Sequence, residues 1–445
     1  MTGLVSKSAT SLKGVARVPG DKSISHRSLM FGALGHGETV VTGLLEGEDV
    51  LRTAKALSAM GVEIIAPEEN KQGGIWRIQG MGDAPLKTPR GTVYLGNSGT
   101  SARLLMGLIG GYPLQATFTG DESLEKRPMG RVIKPLAQMG VQFESGNGDK
   151  LPLKITGSGS LRPIEYTLPV ASAQVKSAIL LAALHAEGTT TVIEPKTTRD
   201  HTERLLRFFG ASVDTETLPD GSGVIRLTGF PQLTGQHITV PSDPSSAAFL
   251  TVAALITPDS DVLIPNVLIN TARTGLYDTL IEMGADITFE NRREKSGEDV
   301  ADIRAKSSRL VGVTVPPARV PSMIDEFPVL AVAASFATGK THMTDLAELR
   351  VKESDRLLAI ATGLKLAGVT AEMGEDSLTV TGNGQAPAGG CTVTTHLDHR
   401  IAMSFLIMGL AAQNPVAVDD AETMNTSFPG FAALLNGLGG RIEPQ

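Results

Sequence analysis

The sequence predicts an α/β protein of two lobes, each made of three repeated β-α-β-α-β-β units. Three observations carry that expectation. A short extended piece ending in a turn recurs six times along the chain, at a period of roughly 75 residues. A helix of small and apolar residues follows each turn. In five of the copies a second, amphipathic helix comes next and stops at a glycine.

The openings are Val18-Pro19-Gly20-Asp21, Leu95-Gly96-Asn97-Ser98, Leu168-Pro169-Val170-Ala171, Val240-Pro241-Ser242-Asp243, Val320-Pro321-Ser322-Met323 and His396-Leu397-Asp398-His399. Proline and glycine break the preceding strand, and the Asp and Ser side chains can cap the helix that begins there. Apolar helical spacing then runs over 28–34, 102–109, 175–184, 247–256, 328–336 and 401–410. β-branched pieces such as Thr39-Val40-Val41 and Asp261-Val262-Leu263-Ile264 predict the strands that follow. The second helices occupy 54–60, 132–139, 202–209, 276–283 and 357–367, before Gly61, Gly140, Gly210, Gly284 and Gly368.

Six copies divide into two groups of three. The turns at Val18 and Val240 nearly match, which predicts paired crossovers: one lobe of residues 20–240, the other of 1–19 plus 241–445. A single split near Val240, with residues 1–19 trailing, is the alternative.

Composition narrows the function. The 445 residues carry a net charge of -7 with only 4% aromatics, against the basic face and stacking rings of a nucleic-acid binder. Cys391 is the single cysteine, so no internal disulfide framework forms and a reducing compartment fits. No apolar signal region opens the chain, and the apolar runs 247–257 and 401–412 fall short of the roughly 18 residues of a membrane span. A cytoplasmic protein with no membrane contact is expected.

Cations nevertheless gather at the unit openings: Lys22, Arg27, Arg103, Lys126, Arg127, Arg131, Lys176, Arg199, Arg273, Lys352, Arg356 and Arg400. Beside helix N-termini, whose unpaired N–H groups and dipole favour negative charge, they predict local anion sites on an acidic protein. The hydroxyl-rich Asn97-Ser98-Gly99-Thr100-Ser101 loop and Ser172-Ala173-Gln174 suit the same purpose or plain capping. Two stretches can carry acid–base work: Met323-Ile324-Asp325-Glu326-Phe327 places acids among apolar residues, and Arg350-Val351-Lys352-Glu353-Ser354-Asp355-Arg356 alternates charges, where a salt-bridged helix start is the plain alternative. The spacing in His396-Leu397-Asp398-His399-Arg400 fits capping and anion contact better than a metal site, since no further ligand pattern accompanies it. No metal or cofactor is expected, and nucleotide and serine-hydrolase motifs are missing.

Taken together, Gly20-Asp21-Lys22-Ser23-Ile24-Ser25-His26-Arg27, Lys126-Arg127-Pro128-Met129-Gly130, Ser172-Ala173-Gln174-Val175-Lys176, Arg199-Asp200-His201-Thr202-Glu203, Lys352-Glu353-Ser354-Asp355-Arg356 and Asp398-His399-Arg400 resemble the enolpyruvylshikimate-phosphate (EPSP) synthase family over nearly the whole chain. The third and fourth stretches look like its class II branch. The resemblance implies two inside-out α/β barrels with pseudo-threefold order, closing over a cleft, and a monomer. It implies transfer of the enolpyruvyl group of phosphoenolpyruvate to the 5-hydroxyl of shikimate 3-phosphate by addition and elimination, with glyphosate as inhibitor. Shikimate 3-phosphate contacts would come from Lys22, Ser23, Arg27, Ser172, Ala173, Gln174, Arg199, Asp325 and Lys352. Phosphoenolpyruvate contacts would come from Lys22, Gly99, Arg127, Gln174, Arg356 and Arg400. Asp325 would be the base and Glu353 the proton donor, with Lys22 also in the catalytic set.

The sequence departs from the family at three points. Ala272 stands where class II has threonine, the stretch Asn425-Thr426-Ser427-Phe428 lacks a lysine of the other branch, and Gly99 stands where glyphosate-tolerant members carry alanine. Two rival readings are weaker. The related UDP-N-acetylglucosamine enolpyruvyl transferases open with Lys-Asn, whereas Ser23 follows Lys22 here; a non-catalytic binder of phosphorylated metabolites has no use for Asp325 and Glu353.

Overall fold

A computed structural model describes residues 3–68 and 74–445. The chain separates into two compact units, one of residues 20–240 with 295–298, the other of 1–19, 241–294 and 299–445.

In the unit built on 20–240, the helices are α1 (Lys22–Leu34), α2 (Glu48–Ala59), α3 (Gly99–Gly110), the short α4 (Glu122–Lys126), α5 (Gly130–Met139), α6 (Ala173–Ala183) and α7 (His201–Phe208). In the other they are α8 (Pro244–Ile256), α9 (Gly275–Glu282), α10 (Phe327–Phe336), α11 (Arg356–Leu366), α12 (His399–Gly409) and α13 (Phe431–Gly437). The unit-opening helices therefore begin one to six residues before their apolar spacing does, because the turn itself caps most of them. Asp21 accepts from the Ile24 amide at 2.8 Å, Ser98 from Ser101 at 3.1 Å, Asp243 from Ser245 at 2.7 Å and Asp398 from Arg400 at 3.0 Å. Of the six opening helices, α10 alone starts without a side-chain cap, with Pro328 in its first turn instead.

These opening helices are apolar around their whole circumference, so each must be surrounded. Every residue of α1 from Ile24 to Leu34 is buried, as is every residue of α10 from Phe327 to Ser335. α3 packs on α1 and α6; α8, α10 and α12 pack on one another. Gly107 allows the closest of these approaches: a Cβ there would lie 2.1 Å from the Ala178 carbonyl oxygen on α6.

Among the described residues, six small sheets flank the helices, three in each unit. One pattern repeats. The opening strand runs parallel to the strand after the first helix, and the last strand inserts antiparallel between that one and the third, as in Val93–Tyr94, Gln115–Thr119, Leu153–Thr156 and Gln142–Ser145. Two departures reveal how each unit closes. The first copy takes its opening strand, His237–Thr239, from the far end of its own unit, parallel to Glu38–Thr42. The N-terminal segment serves the other unit twice: Lys13–Val15 lies parallel to Asp261–Leu268, and Leu4–Ser6 sits antiparallel between Val416–Val418 and Ile442–Pro444. The sheet of Thr338–Met343 has three strands, with only isolated bridges from Val311 and Thr314 in the opening position. No helix among the described residues is long and apolar enough to cross a membrane.

Two histidines of the first of these units, buried His26 and half-buried His185, are held uncharged. Burial, reinforced by Lys22 and Arg27, holds the pKa of His26 well below its usual value, and burial brings His185, packed 4.5 Å from the Tyr112 ring, down to about 4. The unfolded chain takes up these protons near 6.5 while the folded one refuses them, so the stability they contribute is whole above about pH 6.5 and falls as the pH drops towards 4. Each should remove roughly 1.4 kcal/mol per pH unit in that window. Thermal melts between pH 6.5 and 4.5 should therefore be shallower in pH for His185→Phe than for the parent; identical slopes would contradict this.

Candidate active site

In the unit of 20–240 the predicted residues fall into two neighbouring sets. At the N-terminus of α1, Lys22 forms an ion pair with Asp49, the second residue of α2, and the half-buried Ser23 offers its carbonyl to Arg27 at 3.0 Å. Arg27 is buried one turn inside α1, where it also meets hydroxyls of α6 and α7. Arg199 precedes α7 in a half-buried position, and its charge adds to burial in lowering the pKa of Arg27.

The second set surrounds the Asn97–Ser101 loop, which continues into α3 because Ser98 caps it. Arg127, just past α4, donates to Asn97 Oδ1 at 2.6 Å and to Ser123 Oγ at 3.2 Å, and its Nε is buried with no hydrogen-bond partner among the described residues. Gln174 bridges: its Oε1 accepts from Arg103 at 2.8 Å and its Nε2 donates to Thr100 Oγ1 at 3.1 Å. Ser172 caps α6 beside it, followed by half-buried Ala173. Gly99 is the tight point, for a Cβ there would stand 2.8 Å from Arg103 Nη1 and 3.3 Å from Arg127 Nη1. Backbone amides at a helix start, two guanidinium groups and a side-chain amide together make a cradle for a small, highly charged anion.

In the other unit one guanidinium gathers the acids. Arg356, at the first position of α11, is 1% exposed; its Nε donates to Asp398 at 2.8 Å, its Nη1 to Asp325 at 3.1 Å, and its Nη2 to Glu353. Burial disfavours its charge, but Asp398, Glu353 and Asp325 outweigh burial and raise its pKa above the usual arginine value. Lys352 lies 3.4 Å from Asp325 Oδ1, and Arg400 donates to the Asp325 backbone carbonyl at 3.1 Å. Two carboxylates held by one cation, with Lys352 also beside Asp325, can hand protons in opposite directions.

Three of the cations gathered from the sequence are not offered to a ligand. Lys176 is buried between Glu194 at 2.9 Å and Glu203 at 2.7 Å, Arg273 is buried against Asp243 and Ser245, and Lys126 is exposed and paired with Glu122. Conversely, Asp49, the partner of Lys22, carries no mark in the sequence, and Asp398, expected there as a cap, also holds Arg356.

The comparisons with known proteins agree with one another. The family model for EPSP synthase (3-phosphoshikimate 1-carboxyvinyltransferase) matches residues 6–435. A 3-phosphoshikimate 1-carboxyvinyltransferase of Paramagnetospirillum magneticum is 58% identical over 440 residues, covering 99% of this chain and 98% of that protein. The solved EPSP synthase of Acinetobacter baumannii superposes with a TM-score of 0.89 at 48% identity, each chain fully covered. The enolpyruvyl transferase NikO of Streptomyces tendae superposes at 0.76 with 17% identity, over 100% of this chain and 99% of that one, a likeness of fold alone.

Proposed function

The chain belongs to the EPSP synthase family and catalyses enolpyruvyl transfer in the shikimate pathway, and from that premise we propose how its two clusters divide the work. The unit of 20–240 supplies the contacts to shikimate 3-phosphate: Lys22, Ser23 and Arg27 at α1, Ser172, Ala173 and Gln174 at α6, and Arg199 before α7. Its Asn97–Ser101 loop, with Gly99, Arg127, Gln174 and the end of Lys22, takes phosphoenolpyruvate. Arg356 and Arg400 are further phosphoenolpyruvate contacts, and Lys352 and Asp325 further shikimate 3-phosphate contacts. The helix packing within each unit supports an inside-out barrel of pseudo-threefold order. One copy suffices for this work, and the cytoplasm is where we expect it.

The carrying observation is that Asp325 and Glu353 share the Arg356 guanidinium. Asp325 takes the proton of the 5-hydroxyl as its oxygen bonds to C2 of phosphoenolpyruvate, while Glu353 delivers a proton to the methylene carbon. The tetrahedral adduct then loses phosphate as Glu353 recovers a proton from the same methyl group, which restores the double bond. Protonation and attack must coincide, because C2 becomes electrophilic only as the methylene gains its proton. The cations stabilise charge on the departing phosphate, where preorganised donors contribute most. Phosphate release on mixing phosphoenolpyruvate with shikimate 3-phosphate, and none with either alone, tests the reading; no release from the mixture would overturn it.

Glyphosate should compete at the phosphoenolpyruvate cradle, and Gly99 leaves it room. The Cβ of Gly99→Ala would stand 2.8 Å from Arg103 Nη1 and 3.3 Å from Arg127 Nη1, so it narrows the cradle those two guanidinium groups line. We expect the glyphosate inhibition constant of Gly99→Ala to rise roughly tenfold or more. Equal constants for the two proteins would reject this.

A further inference from the structure

Arg27 is a buried cation whose hydrogen bonds all go to neutral oxygen. It is 5% exposed; its Nε donates to Thr202 Oγ1 at 2.7 Å, its Nη2 to Ser177 Oγ at 2.7 Å and its Nη1 to the Ser23 carbonyl at 3.0 Å. The two hydroxyls are themselves 2.6 Å apart. Burial lowers the Arg27 pKa to about 10, even with Glu203 and Asp21 pulling the other way. One residue along each helix the arrangement is the opposite, for Lys176 of α6 is met by Glu203 of α7 and by Glu194.

The seam between α6 and α7 thus keeps two kinds of cation side by side. A carboxylate at Ser177 or Thr202 would orient Arg27 equally well but cancel its charge. Hydroxyls orient without cancelling. They also occupy one edge of the guanidinium, leaving an N–H on each terminal nitrogen, the fork that binds phosphate oxygens in pairs. We propose that Ser177 and Thr202 are positioning residues that aim Arg27 at an anionic group of shikimate 3-phosphate and preserve its charge for that ligand. This rests on the functional reading above, in which Arg27 binds that substrate.

Thr202→Val keeps the shape and removes the acceptor, Thr202→Ser restores the acceptor, and Ser177→Ala removes the other one. Calorimetric titration with shikimate 3-phosphate should give a dissociation constant raised about tenfold in Thr202→Val and in Ser177→Ala, equivalent to about 1.4 kcal/mol, and near the parent's in Thr202→Ser. KM for shikimate 3-phosphate should rise in parallel, with kcat at saturation within about threefold, because neither hydroxyl joins the proton transfers. Should Thr202→Val not fold, Ser177→Ala carries the test. Parent-like affinity in both acceptor-less variants, loss in Thr202→Ser equal to that in Thr202→Val, or a fall confined to kcat would each overturn the inference while leaving the functional reading intact. Failure of the parent itself to bind shikimate 3-phosphate would overturn that reading and this inference with it.

Discussion

Phosphate release by Glu353→Gln is expected to fall about 10²–10⁴-fold, the range that one general acid contributes, with shikimate 3-phosphate affinity within about threefold of the parent. The amide has the shape of the carboxyl and its oxygen can still accept from Arg356, which keeps Asp325 and Asp398 as partners. What the amide lacks is a proton to give to the methylene carbon. Loss of turnover with retained binding therefore separates proton delivery from assembly of the site. Turnover like the parent's in this variant would remove Glu353 from the reaction.

The largest stability effect is expected at Lys176→Met, at about 3–5 kcal/mol, the usual result of removing one partner from a buried ion group. Lys176 is 1% exposed, and burial alone would lower its pKa; Glu203 and Glu194 reverse that and raise it. Methionine fills the same volume but leaves two buried carboxylates facing each other with no cation between them. In a unit of this size that corresponds to a melting transition lowered by roughly 10 °C. Adding Glu194→Gln and Glu203→Gln removes the repulsion and should return part of the loss. A single variant as stable as the parent, in calorimetry at neutral pH, would show that the triad is not needed.

The architecture was legible because it is written in local patterns. A turn, a cap and an apolar helix are all set by neighbours a few residues apart, and six repetitions turned weak signals into a strong one. Asp21, Ser98, Asp243 and Asp398 each cap the helix that the turn predicted. Sheet closure was not legible, since His237–Thr239 joins a strand about 200 residues earlier and three-residue strands such as Leu4–Ser6 carry little pattern of their own.

The site divides the same way. Arg27, Arg127 and Arg356 stand out in sequence as cations at helix openings, but whether a cation is spoken for depends on residues far along the chain. Lys176 shares its phase with ligand-facing residues and is neutralised by Glu194 and Glu203, which no local spacing announces. Arg103 was counted only as one charge among many, and its contact with Gln174 emerges only when α3 and α6 lie side by side. Long-range pairing, in short, decides which charges remain free to act.

The way His237–Thr239 returns to the first sheet has a bearing on lineage and on protein engineering. Val240 ends beside Gly20, where a Cβ on that glycine would lie 3.0 Å from Val240 Cγ1, and the Asp243 amide donates to the Pro19 carbonyl at 2.9 Å. Entry and exit share one doorway, so the stretch from Gly20 to Val240 is wired like a cassette spliced into a host polypeptide. A gene that lost the cassette would need only a short splice from Pro19 to Pro241, and a gene that gained it could have done so in one event without unravelling its host.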